Sequence, residues 1–503
     1  MSWLETVPLL LVVIPILTAT VPIVLGLRFE RTGWSVATVV CAGLTAAAAI
    51  VAYVVYTGDG PVIHQLGGFE RPVGIELVAD RFSASITLLV TSVSLVVLAF
   101  TRRGGPRGHT FYAAYLLLIG GLLGVTLTGD VFNLFVFLEI TGLATYALVA
   151  RSDGGEAAVA ALKYLIIGTL GASLYLIGVG FLFLATGTLN MMDLGTTLAA
   201  AGYDDPLIRA AFAFVFVGFA IKVAQWPMHT WQPDAYQHAP DGVTPVIAAL
   251  VSTVSAYALG RVLFTVFTVD FLHATPIAAD VIVVVGSASV IAGSVLAVIQ
   301  WDIKRMLAFS SVSQFGLIVA AYGVLTEWAL LGAMVHLLGH GLIKAGMFLG
   351  IAILGFALGI RTIDEYAGLA NQRPITAAAM AVLALALVGI PPSIGFLGKW
   401  YIAVGAVEGG RWLVATVIFL STMLTLGYVA KLGERMYFHH AQPGDEPAAG
   451  VAADGGVSIR RRISIGMGAV LVGIAVLAVV LGFSGAMLQE AFGPFVEGVF
   501  ADG

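Results

Sequence analysis

About fourteen stretches of roughly 20 mostly apolar residues follow one another along this chain, separated by short polar turns. Nothing else in the sequence constrains the fold as strongly. A run of that length matches the hydrocarbon thickness of a bilayer. Inside lipid each backbone N–H and C=O must be satisfied within its own helix or within a closed barrel. A barrel would alternate apolar and polar residues in segments of about ten, and these runs are continuous. The fold class is therefore all-α, a polytopic membrane protein. Composition agrees: 59% of the 503 residues are hydrophobic and 11% are charged, against about 25% charged in a soluble domain. That excludes a water-soluble enzyme and a disordered chain. A net charge of -5 without a basic face argues against a nucleic-acid partner. The single cysteine, Cys41, excludes an internal disulfide, an iron–sulfur cluster and a multi-cysteine zinc site, and reads as a packing residue.

The expected spans are 7–27, 34–56, 80–101, 111–129, 131–150, 158–186, 207–227, 243–267, 274–300, 306–323, 327–358, 375–405, 410–433 and 464–484. The first lacks the basic flank of a signal peptide and reads as a retained helix. With the N-terminus outside, the inside loops collect 15 of the 24 basic residues: Arg28, Arg31, Arg102, Arg103, Arg107, Arg151, Lys304, Arg305, Arg361, Arg373, Lys431, Arg435, Arg460, Arg461 and Arg462. Outside segments hold Arg71, Arg81, Arg209 and Arg411. The positive-inside rule thus favours fourteen helices in a cell membrane with both ends outside, in one integral membrane domain covering 1–503. Residues 439–459 read as a flexible inside linker.

Two segments break helical rules alike. FVGFAIKVAQWPMHTWQP places Pro227 after Lys222, and LALVGIPPSIGFLGKWYI places Pro391 and Pro392 before Lys399. Proline removes a helical hydrogen bond and frees carbonyls, which is tolerated in a membrane where the break lines a cavity. A matching pair of broken helices, the seventh and the twelfth, points to two inverted five-helix repeats, 111–267 and 274–433, around a transport site.

The ionisable residues inside apolar runs are the functional candidates, because each costs about 2.5–3.5 kcal/mol at a bilayer centre. Glu139 lies mid-run, as do Lys222, Lys344 and Lys399. His336, His340 and Lys344 recur at four-residue spacing, one polar stripe on a helix. Three of the six lysines are deep in such runs and no arginine is placed so. Arginine stays protonated in proteins, whereas a desolvated lysine gives up its proton more readily and regains it beside a carboxylate. Movement of Glu139 relative to Lys222 could therefore load and unload a proton. The plainer alternative is a static structural pair. His229, Asp234 and His238, in a loop after the first break, could shuttle protons at the inner mouth; their spacing matches no zinc pattern. Ser310, Ser311, Ser313 and Gln314 could line a water chain or simply pack. No phosphate-binding or dinucleotide glycine motif is present, so no metal and no cofactor is expected on this chain.

FAIKVAQWPMHTWQPDAYQHAP, the Glu139 helix, DIKRMLAFSSVSQFGLIVAAYG and GIPPSIGFLGKWYI together resemble the proton-translocating antiporter-like membrane subunits of respiratory complex I, membrane-bound hydrogenases and Mrp-type cation/proton antiporters. Lys399 in GFLGKW is most similar to the D-type component of Mrp antiporters, and the complex I subunit next to the connecting module has a similar lysine. The resemblance implies two inverted repeats and a central polar axis. It assigns Glu139 as gating carboxylate, Lys222 as proton-holding lysine, His336 as relay and Lys399 as terminal lysine of the second half-channel, with His340 and Lys344 beside the relay. It also exposes a departure: relatives commonly carry a titratable residue in the eighth helix where STVSAYALGR has Thr253. Gln314 likewise stands where relatives often have His.

The resemblance implies a subunit of a multisubunit Na+/H+ antiporter that moves protons among other membrane subunits in the bilayer; it leaves open whether Na+ passes through this chain. The alternatives are a proton-pumping subunit of a redox complex, a proton-conducting partner in inorganic-carbon uptake, and a scaffold whose channel is vestigial. None of these gives the chain redox or other catalytic chemistry of its own.

Overall fold

The computed structural model describes residues 3–29, 32–58, 60–152, 154–439 and 463–501. Arg31, Arg460, Arg461, Arg462 and nearly all of the expected 439–459 linker lie outside the described residues.

Apart from one hairpin and the connecting turns, the described residues are helical. In order, the principal helices are α1 Trp3–Gly26, α2 Thr32–Thr57, α3 Arg81–Thr101, α4 His109–Leu127, α5 Val131–Val149, α6 Gly155–Thr186, α7 Met191–Ala201, α8 Pro206–Lys222 and α9 Trp231–His238. They continue as α10 Thr244–Ala274, α11 Pro276–Val298, α12 Ile303–Tyr322, α13 Glu327–Leu358, α14 Pro374–Val388, α15 Ile394–Glu408, α16 Trp412–Phe438, α17 Ile465–Phe483 and α18 Gly485–Ala501. Among the described residues 11 helices are long and apolar enough to cross a membrane unaided. The other three expected spans are α8 and its break, α12 with its serines, and the α14–α15 pair split at Gly389–Ser393. These are the shorter or more polar elements, and they are also the ones that carry or flank the buried lysines.

Burial sorts the helices into layers. Of its most apolar window, 94% is buried in α10 and 83% in α13, against 28% in α1 and in α17. α4 is buried to the same 83%, so α4, α10 and α13 form the inner layer and α1, α2, α6, α16 and α17, each buried to 39% or less, form the outer wall. Glycines let neighbouring helices touch backbone to backbone. A Cβ on Gly218 of α8 would lie 2.7 Å from the Gly171 carbonyl oxygen of α6, and one on Gly398 of α15 would lie 2.6 Å from the His336 Cα of α13.

Three elements escape the sequence reading. The antiparallel hairpin β1 Val62–Gln65 and β2 Glu76–Ala79 covers one end of the bundle. Glu76 is buried there, accepting from Asn190 Nδ2 at 3.3 Å and facing Arg71 Nε at 3.3 Å. α7 closes the same end. α18 follows α17 and lies against α3, where Arg81 donates to the Glu490 and Ala491 carbonyls. One expectation is corrected: an arginine is buried within a span. Arg261 of α10 is 12% exposed and pairs with Asp80 at 2.6 Å, held also by the Tyr257 hydroxyl. Asp80 caps the first turn of α3, so Arg261, inside α10, meets its carboxylate at that end of α3, beside the hairpin.

Candidate functional site

α8 ends at Lys222 because the backbone leaves helical geometry there. Ala224 takes a φ of 58°, in the left-handed region that disfavours side chains, and Pro227 follows. The Ile221 carbonyl at the break accepts from the Ala224 N–H at 3.1 Å and also from Trp231 Nε1 at 2.9 Å. Trp231 is itself stacked on Tyr164 of α6 with ring centres 4.0 Å apart. The last helical side chain is thereby fixed in the interior. Lys222 Nζ lies 3.3 Å from Glu139 Oε1 on α5. Lys222 is 8% exposed and Glu139 is 23% exposed, so the carboxylate stands at the edge of the bundle and the ammonium inside it. The two residues that stood out as charges in apolar runs meet across 83 positions of sequence.

The segment expected as a loop after the break is a helical turn and α9, because Pro233 sits in the first turn of α9, where its missing N–H is not needed. Asp234 is locked between Lys163 Nζ at 2.6 Å and Arg305 at 2.7 Å. His229 is buried, and its Nδ1 has no hydrogen-bond partner among the described residues. His238 faces Glu156 at 3.5 Å in a cavity of about 460 Å³, also lined by Asp241, Lys304 and Arg361. Burial pushes the Asp241 carboxyl up, but Lys304 and Arg361 outweigh that and hold it below the usual range.

Towards the axis, Gln232 Nε2 donates to Ser252 Oγ at 2.9 Å and to the Tyr236 hydroxyl at 3.0 Å. Thr253 is fully buried on α10, next to Gly341 of α13: a Cβ on Gly341 would be 3.6 Å from its Oγ1. His340 precedes Gly341 and stacks on His336 at 6.2 Å between ring centres. His336 Nε2 is 2.9 Å from Gln314 Oε1 on α12. Lys344, one turn further, donates to the Leu307 carbonyl at 2.7 Å and to Ser310 Oγ. Lys399 donates to Val388 O at 2.8 Å and Leu387 O at 3.4 Å, carbonyls freed by the second break. Neither Lys344 nor Lys399 has a carboxylate within 4.0 Å among the described residues. Of the three deep lysines, only Lys222 has a countercharge there.

Several polar atoms along this line have no protein partner among the described residues: Thr141 Oγ1, the Tyr146 hydroxyl, the Gln225 amide, Gln232 Oε1, Thr253 Oγ1, His336 Nδ1 and both His340 ring nitrogens. Buried polar groups are met by protein or by water, so the interior between α5 and α15 is suited to hold water between titratable groups. Thr141, Tyr146, Gln225 and Gln232 do not stand out in the sequence. Gln225 and Gln232 carry a usable signal, an amide inside or beside a proline break; Thr141 and Tyr146 carry none. Among the described residues no group of three or more His, Cys, Asp and Glu is placed to hold a metal.

Residues 128–425 match the family described as NADH:quinone oxidoreductase/Mrp antiporter, transmembrane. The chain is 38% identical to the N subunit of the NADH-quinone oxidoreductase of Desulforudis audaxviator, over 87% of this chain and 88% of the relative. It is 30% identical to the D-type component of the Na(+)/H(+) antiporter of Bacillus subtilis, over 76% of each. Its fold superposes on a chain of the Mrp complex from Dietzia with a TM-score of 0.89 at 28% identity, covering 99% of this chain and 98% of that one. A chain of a membrane-bound sulfane sulfur reductase, an archaeal respiratory complex, matches with a TM-score of 0.88 at 28% identity, covering 96% of each.

Proposed function

Because the chain belongs to the NADH:quinone oxidoreductase/Mrp antiporter family of membrane subunits, we propose that it is the proton-translocating subunit of a multisubunit Na+/H+ antiporter. The observation that carries this reading is the Glu139–Lys222 pair, 3.3 Å apart at the end of a broken helix. Opposite charges at that distance attract by about 5 kcal/mol at an effective dielectric of about 20, and by about 2.4 kcal/mol at about 7 Å. Moving the carboxylate by a few ångströms therefore changes the cost of keeping the amine charged by roughly two powers of ten in occupancy. Glu139, at the bundle edge, gates; Lys222 holds the proton.

The proton then crosses by water and side chains. Gln232, Ser252 and the Thr253 hydroxyl lead to His340 and His336, and Lys399 receives it in the second half-channel. Lys344, held by Ser310, sets the field beside His340. The hydroxyl of Thr253 carries no charge, so the titratable step at the centre falls to the histidines. His229 and His238 admit protons from the inner mouth. The inverted repeats 111–267 and 274–433 belong to this reading. The 32-residue helices α6 and α13 each precede a broken helix and pack on it through glycines, which supports the repeat. The cell membrane, both ends outside and a hetero-oligomer of membrane subunits complete the reading.

A second reading rests on the 38% identity to a quinone oxidoreductase membrane subunit: the same proton path within a redox complex. Mass analysis of the purified complex separates the two. Small antiporter subunits are expected; quinone- or hydrogen-reacting subunits would transfer the chain to the redox branch. The path itself is tested by Glu139→Gln against Glu139→Asp. The neutral amide is expected to lower proton flux more than tenfold and the shorter acid to retain part of it. Equal flux in both would remove the gate.

A further inference from the structure

We propose that the cavity between the α3–α4 loop and the end of α13 binds the phosphate headgroup of an anionic membrane phospholipid. Arg103, Gly105, Arg107 and Phe356 line a shallow, open space of about 540 Å³ at the surface. The loop is built to present its charges. Arg107 donates to the Arg103 carbonyl, which curls the loop, and both arginines line the same space. Arg151 reinforces it, donating to the Arg107 carbonyl at 3.3 Å and to Thr110 Oγ1 at 2.8 Å. Gly105, at a φ of 79°, seats the loop on the 240–242 turn, where a Cβ would lie 3.2 Å from the Gly242 nitrogen.

Charge complementarity names the occupant. Arg103, Arg107 and Arg151 have no carboxylate within 4.0 Å among the described residues, whereas nearby Lys304 and Arg361 are both committed to Asp241. A guanidinium fork matches phosphate oxygens in pairs. The depth names a lipid. Arg102 lies 5.0 Å over the Trp34 ring, and an indole with a neighbouring arginine marks the headgroup level of a bilayer. Phe356, against Phe100 at 6.2 Å, supplies an apolar wall for the glycerol and first acyl carbons. The lipid site does not depend on the proton path.

The test uses the complex containing the full chain, reconstituted into phosphatidylcholine discs with increasing phosphatidylglycerol. Spin-labelled phosphatidylglycerol reports the lipid held by the protein. The wild type is expected to select phosphatidylglycerol over phosphatidylcholine. Arg103→Gln with Arg107→Gln is expected to weaken that selection roughly 25-fold, about 5-fold per arginine. Arg28→Gln with Arg373→Gln removes the same charge from the same face and is expected to leave most of it. An equal loss in both double variants would reduce the site to diffuse attraction and overturn the proposal. So would displacement from the wild type by inorganic phosphate as effectively as by short-chain phosphatidylglycerol, a result that needs no variant and would make the site one for a free anion.

Discussion

At the scale of the residue, the Glu139–Lys222 contact joins a partly exposed carboxylate to a buried ammonium. Removing the carboxylate leaves a buried charge without a partner, a change that typically costs about 3–5 kcal/mol. Glu139→Ala is therefore expected to lower thermal stability as well as flux, and Glu139→Ala with Lys222→Ala to restore stability but not flux. Flux restored in the double variant would make the pair merely structural. Asp241 behaves differently, since two cations, Lys304 and Arg361, hold it. Its carboxyl is held below the usual range, so its contribution is complete above the unfolded-state value of about 3.9 and is lost as pH falls through the lower folded value. Asp241→Asn is expected to lower the melting temperature at neutral pH and to flatten its fall in acid; an unchanged acid limb would contradict this. Glu139, Lys222, His336, His340, Lys344 and Lys399 were legible because a charge in an apolar run is costly and therefore conspicuous. The Glu139–Lys222 pairing and the polar character of Ser310 and Gln314 were legible too; which of these meets His336 and which meets Lys344 was not, because that is set only when α12 is laid against α13.

At the scale of the element, the two proline breaks were legible and their consequences were not. Pro227, Pro391 and Pro392 announce that a helix stops; they do not announce that Trp231 and Lys399 donate to carbonyls at the breaks. The hairpin, α7 and α18 escaped because a search for long apolar runs passes over short or mixed segments: Glu490, Pro494 and Glu497 interrupt α18. The buried arginine escaped because Asp80, its partner, lies 181 residues away. Close glycine contacts bring α8 onto α6 and so aim Lys222. Gly218→Val is expected to force these helices apart, lower stability by about 1–3 kcal/mol and reduce flux. Gly180→Val, on α6 but facing open space, is expected to change stability by less than about 0.5 kcal/mol. Thermal unfolding in detergent, with flux measured in parallel, checks both; equal effects would show that the glycine contact does not set the site.

At the scale of the whole molecule, α10 and α13 carry the polar line through the interior, and the wall helices turn apolar side chains outward. Leu162, Ile166 and Leu170 of α6 are all more than half exposed, as suits a surface facing lipid or another membrane subunit. The architecture is shared by chains of an Mrp complex and of a respiratory complex, so the fold alone does not separate an antiporter from a redox pump. Transport does. The most direct measurement takes the intact complex in inverted vesicles, with no electron donor, and records the loss of a preformed ΔpH on adding Na+ for wild type and Lys222→Ala. Na+-dependent proton movement is expected in the wild type and is expected to be lost in the variant. A Na+ response that survives Lys222→Ala would contradict the proposed path, because protons would then be crossing by a route that avoids the buried pair.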